Sequence, residues 1–143
     1  MEKKVVLILG ANSDIAGAVA KKFASEGYCI QLAGRDLEKL NSKASDIRIR
    51  YNSEVEVVLF DAQQYASHGN FYQVLSKKPD VVVLAFGFLG ENDKALQDWN
   101  QCENILSANS AKRHFELNLE LGDPEWEKER QLRDLCEQHI LCR

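Results

Sequence analysis

Positive charge is in deficit in this chain. Eighteen Lys and Arg face 22 Asp and Glu, a formal net charge of −4, so nothing draws it globally to nucleic acid or to an anionic membrane, and neither is expected as a partner. The small basic cluster Lys112-Arg113-His114 reads as a solvated face. No stretch reaches the roughly 18 apolar residues of a helical membrane span, and Met1-Glu2-Lys3-Lys4 leads straight into an apolar strand, so no signal peptide is expected. Cysteine is sparse: Cys29, Cys102, Cys136 and Cys142 form no Cys-x-x-Cys pair, and no histidine stands at ligand spacing. That speaks against a zinc site and for free thiols in a reducing, cytoplasmic setting. Internal repeats and low-complexity tracts are also missing.

What is present suits an ordinary globular fold. At 143 residues, 45% hydrophobic and 28% charged, the chain is long enough to bury one core. Its most informative stretch is Val5-Val6-Leu7-Ile8-Leu9-Gly10-Ala11-Asn12-Ser13-Asp14-Ile15-Ala16-Gly17. A buried strand runs into a tight turn that opens a helix, with Ser13 as N-cap. Such a turn aims backbone N–H groups and a helix dipole at one spot, which suits a phosphate.

Apolar periodicity extends the reading. Ile15, Val19 and Phe23 repeat at four-residue spacing beside Ala16, Ala20 and Ala24, predicting an amphipathic helix that Gly27 ends. Residues 28–33 read as a second strand, and Leu37, Leu40, Ala44 and Ile47 as a second helix. Strands are expected at 55–60 and 81–85, with a helix carrying Phe71, Val74 and Leu75 between them. A further helix from about Asp93 carries Leu96, Trp99, Ile105 and Leu106. The βαβαβαβα order implies an α/β fold: a Rossmann-like doubly wound parallel sheet of about four strands. Gly10, Arg35, Asp61 and Gly87 all fall just past strand ends, where such a sheet binds its ligand. The strand pattern stops after about Ser110. Residues 1–112 therefore read as a nucleotide-binding domain and 113–143 as a divergent, charged helical tail, with Asp123-Pro124 as a helix start and Leu132, Leu135, Cys136, His139 and Ile140 as its apolar stripe.

These residues together resemble the N-terminal part of the short-chain dehydrogenases/reductases, over roughly residues 3–112. Leu9 to Ala16 stand where that family has Thr-Gly-x-x-x-Gly-x-Gly, and only Gly10 of its glycines is kept. The resemblance assigns Gly10, Asn12, Ser13, Asp14 and Ile15 to the cofactor turn. Asp14 is a departure, because a carboxylate there would repel a pyrophosphate unless it turns away. Gly34 offers no acid for the ribose hydroxyls of NAD, and Arg35 follows it where a guanidinium can clamp a 2′-phosphate, so NADP is the expected cofactor in preference to NAD. The alternative is an arginine paired to Asp36 or Glu38. Asp61 and Ala62 match the family's adenine contact, with a helix N-cap as the alternative for Asp61. Leu84-Ala85-Phe86-Gly87 replaces Asn-Asn-Ala-Gly, keeping Gly87 and assigning Ala85 to the same loop. Asn109 looks like the family's helix asparagine, which helps to position a water and the catalytic lysine.

The family's Tyr-x-x-x-Lys pair has no counterpart here. Tyr28, Tyr51, Tyr65 and Tyr72 all lack a lysine four residues on, and that acid/base depends on an adjacent ammonium. The expectation is an oxidoreductase-family chain, truncated, that retains dinucleotide binding without catalysis; the alternative is a non-enzymatic NADP-binding regulatory or interaction module. A sheet ending at its fourth strand would leave an unpaired edge, so either that edge self-associates or the segment 111–143 covers it.

Overall fold

The computed structural model describes residues 2–86, 98–100, 103, 107 and 140–142. Five strands form one sheet in the order β3-β2-β1-β4-β5. β1 (Val5–Leu9) is buried at every position, as a strand covered on both faces must be. β2 (Cys29–Gly34), β3 (Val55–Leu59) and β4 (Val81–Leu84) run parallel to it. Leu9 lies beside Ala33 and Leu84, and Ala33 beside Val58, so the carboxyl ends of all four form one rim.

Helices cover the two faces. α1 (Asp14–Ser25) and α2 (Leu37–Tyr51) pack on one side, where Val6, Ile8, Ile30 and Leu32 meet Ala16, Ala20, Leu40, Ala44 and Ile47. The alanines let α1 approach the sheet closely. Ser13 caps it through Oγ, accepting from the Ala16 N–H at 3.1 Å, and Gly27 takes a φ of +86° just beyond its end. On the other face a 3₁₀ turn (Tyr65–Ser67) leads into α3 (His68–Val74), and Phe60, Phe71, Tyr72 and Leu75 pack against Leu7, Leu9 and Val82. Each fully buried large aliphatic side chain contributes about 1.5–3 kcal/mol.

Several details differ from the sequence expectation. Gly34, one residue past the strand expected at 28–33, is the last residue of β2 and pairs with Leu59. Ile15 is 77% exposed. It opens α1 above the sheet rim, where there is no strand left to cover it. Val74 is also exposed, and Tyr72 takes its place in the core, because α3 is short and turns a different face inward.

The fourth strand has a neighbour: β5 (Ile140–Cys142) pairs antiparallel with it, Val83 opposite Ile140. The β4 edge offered for self-association is thus occupied by the chain's own tail. Ile140, which the sequence places on a helical stripe, is instead in a strand, because an unpaired strand edge outweighs the weak helix preference of a short β-prone run. Trp99, Asn100, Glu103 and Ser107 are helical, within the span expected for the fourth helix. Gly87, Asn109, Asp123 and the remainder of the expected tail helix lie outside the described residues.

Candidate dinucleotide site

The turn after β1 is held from four directions. Gly10 and Ala11 both donate from backbone N–H to the Ala33 carbonyl at 2.9 Å, tying the turn to β2. On the β4 side Gly10, with φ +78°, lies so close that a Cβ would meet the Phe86 Cβ and N at 2.8 Å and the Ala85 carbonyl carbon at 2.9 Å. Only glycine satisfies both the backbone angle and the space. Ala85 in turn donates to the Leu9 carbonyl at 2.8 Å.

The third tether is Asn12. Its Nδ2 donates to the Asp36 carbonyl at 2.9 Å and its Oδ1 accepts from the Asp36 N–H at 3.3 Å. A Cβ on Gly34 would sit 2.3 Å from that Oδ1. The missing acid at the end of β2 therefore has a structural counterpart: the space is filled by Asn12.

From behind, Lys43 of α2 donates through Nζ to the carbonyls of Ala11 (3.0 Å), Asn12 (3.0 Å) and Ser13 (2.6 Å). Burial pulls its pKa below the ordinary lysine value, repulsion from Lys39 adds to this, and attraction to Asp14 opposes it. Asp14 and Lys43 line the same groove between α1 and α2. Asp14 sits in the first turn of α1, where a carboxylate favours the helix dipole.

A second cleft of about 480 Å³ opens along the same rim between the ends of β2 and β3 and helix α3. Arg35, Leu59, Asp61, Gln64, Asn70 and Val74 are among its lining. Arg35 is exposed and makes no ion pair among the described residues. Asp36, one of its expected partners, instead caps α2 through Oδ1 on the Lys39 N–H at 3.1 Å. Asp61 accepts the Gln63 N–H through Oδ1 at 3.0 Å, so it does cap a turn. That leaves Oδ2 without a hydrogen bond among the described residues. Leu59 and Val74, 62% and 69% exposed, give the cleft two bare apolar walls. Ala62 and Phe86 pack partly buried on the core beneath, and the Phe86 ring lies 5.9 Å from that of Phe60.

Of the residues singled out from sequence, Gly10, Asn12, Ser13, Asp14, Ile15, Arg35, Asp61, Ala62 and Ala85 thus lie on or beside one rim. Sequence reasoning missed Lys43, Leu59 and Val74. Exposed apolar side chains at a strand end and a helix end were the only signal for the last two, and such positions read as core when the strand is taken as buried throughout. Among the described residues no group of three or more His, Cys, Asp or Glu could hold a metal.

The arrangement can be set beside known proteins. The family described as short chain dehydrogenase matches residues 4–119. An uncharacterized oxidoreductase of Mycobacterium tuberculosis is 33% identical over 96 residues, covering 65% of this chain and 38% of that protein. The very-long-chain 3-oxoacyl-CoA reductase of Scheffersomyces stipitis is 31% identical over 106 residues, covering 66% of this chain and 31% of that protein. The chain thus spans well under half the length of these relatives. Among solved structures, a short-chain dehydrogenase from Sphingobium yanoikuyae in complex with NADPH superposes with a TM-score of 0.71 at 21% identity, over 88% of this chain and 49% of that one. An actinorhodin polyketide ketoreductase with NADPH reaches 0.78 at 18% identity, over 88% and 49%. At these identities the structural likeness speaks for the fold alone.

Proposed function

Since this chain belongs to the short-chain dehydrogenase family, we propose that its carboxyl-end rim is a cradle for NADP(H), with NADP favoured over NAD. The observation that carries this reading is the shared rim: a glycine turn whose Asn12 and Asp14 N–H groups have no acceptor among the described residues and, one strand away, an apolar-walled cleft holding an arginine without an ion pair among those residues. Two NADPH-containing structures of the same fold support it.

The chain's residues fit the cofactor. Gly10 permits close backbone approach, and Asn12, Ser13 and Asp14 offer the turn and helix N-terminus to the pyrophosphate. Ile15, bare at the start of α1, offers an apolar contact. Arg35 would clamp the 2′-phosphate, because a planar guanidinium suits a phosphate's oxygens. Asp61 Oδ2 would accept from the adenine amine between Leu59 and Val74, with Ala62 and Ala85 as the floor; Gly87 is assigned to the cofactor loop on the family's sequence pattern alone. Bound there, the nicotinamide would supply or accept hydride. Asn109 is assigned to positioning a water on the family's sequence pattern alone. No tyrosine of this sequence is followed by a lysine four residues on, so the 143-residue chain by itself is expected to bind without reducing a carbonyl. Hydride transfer at ordinary enzymatic rates by the purified chain would refute that part.

Calorimetry of NADPH and NADH on wild type and Arg35→Ala tests the cradle. The substitution should weaken NADPH by about tenfold or more, from loss of a charge-assisted contact, and leave NADH little changed. Equal losses for both would remove the 2′-phosphate assignment.

A further inference from the structure

We propose that Lys43 is a positioning residue that fixes and polarises the phosphate turn from behind, so that the N–H groups of the turn face the ligand. This rests on the dinucleotide reading above. Lys43 is 30 residues from the turn in sequence, yet its ammonium spends all three of its N–H donors on three consecutive carbonyls, those of Ala11, Asn12 and Ser13.

The consequence follows from peptide geometry. In a planar trans peptide the C=O and the following N–H point in opposite directions, and the described chain has no cis bonds. Holding these three carbonyls therefore directs the N–H groups of Asn12, Ser13 and Asp14 to the side away from Lys43. Ser13 N–H makes only a long bond of 3.4 Å to the Gly10 carbonyl. Those of Asn12 and Asp14 have no acceptor among the described residues. A cation on the carbonyl side also polarises each peptide and strengthens its N–H as a donor. The result is a concavity of N–H groups set in advance for an anion.

The surroundings are shaped for this role. Gly17 faces the ammonium where a Cβ would lie 3.3 Å from Nζ, so α1 leaves room for it. Asp14 lines the same groove and attracts the ammonium, which opposes part of the cost of its burial.

The test uses Lys43→Met, which keeps the length of the stem and removes the charge and the donors. NADPH and NADH, which share a pyrophosphate, should both weaken by about tenfold, by the same factor. Adenosine 2′-monophosphate, which has no pyrophosphate, should bind the variant as it binds wild type. Equal weakening of all three ligands would make Lys43 a general strut and overturn the proposal, as would no change in any. A second measurement needs no variant: in ¹⁵N-labelled wild type the Lys43 ammonium should give a signal protected from solvent exchange, which shifts when NADPH is added. A signal averaged like those of exposed lysines overturns the clamp. Failure of wild type to bind any of the three nucleotides would instead overturn the dinucleotide reading, while the ammonium signal still decides whether the clamp exists.

Discussion

Replacing Gly10 with alanine should be far more costly than replacing Gly27, although both have a positive φ, +78° and +86°. At Gly27 a Cβ meets nothing within 4 Å. Gly27→Ala should therefore show only the strain of a left-handed backbone, about 1 kcal/mol. At Gly10 the same strain applies, and the methyl also overlaps the Phe86 Cβ and N and the Ala85 carbonyl carbon, at 2.8–2.9 Å. Two of those atoms are backbone, and Ala85 is itself bonded to the Leu9 carbonyl, so they cannot move without breaking the β1–β4 join. Overpacking of this kind adds about 1–3 kcal/mol, for a total of roughly 3 kcal/mol. Urea unfolding of the three proteins, with a common slope, would read the difference as a shift in midpoint. If Gly10→Ala is no more destabilised than Gly27→Ala, the turn does not press against β4 as described.

Other outcomes follow from the same structure. Ser13→Ala removes the Oγ that accepts from Ala16 and should cost about 1 kcal/mol in urea unfolding; no loss would mean that the cap is idle. Enlarging Ala20, fully buried between α1 and the sheet, to leucine should cost about 1–3 kcal/mol and lower the thermal midpoint, whereas an unchanged midpoint would show slack packing there. Hydrogen bonds from Lys21 and Arg50 hold the Asp46 carboxyl below its ordinary pKa, and Lys77 does the same for Glu54. A lowered carboxylate pKa stabilises the fold above the unfolded value, and that stability is lost as pH falls through the folded value. Stability should therefore decline on acidification through the carboxylate range, and less steeply in Asp46→Asn. The Cys29 thiol is shifted the other way, raised by burial and by Glu54. Its contribution is present below the unfolded thiol's pKa and lost as pH rises through the folded one, and its alkylation in the native protein should be slower than that of a free thiol.

Much of the fold was readable because its signals are local. Continuous apolar runs marked β1 and β4 as strands covered on both faces, Ser13 marked the start of α1, and the alternation of strands and helices implied the parallel order. Three features were not readable, each for a non-local reason. β5 is three residues long, too short for any periodicity, and only the β4 edge makes it a strand. Lys43 looks like any solvent-facing lysine on a helix, because its three acceptors lie 30 to 32 residues earlier. The fit between Gly34 and Asn12 joins the end of β2 to the turn after β1, and their contact depends on the β1–β2 register. The exposure of Ile15 runs against its apolar spacing, because helix periodicity says which face points inward and not where the sheet beneath it stops.

Amide chemical-shift mapping of the ¹⁵N-labelled chain during an NADPH titration would locate the dinucleotide. Binding on the carboxyl-end rim should give saturable shifts at Gly10 to Ile15, Arg35, Asp61, Ala62 and Ala85. Shifts gathered instead at the opposite rim, around Lys4, Glu54 and Asp80, where the strands begin, or no saturable shifts at all, would contradict it.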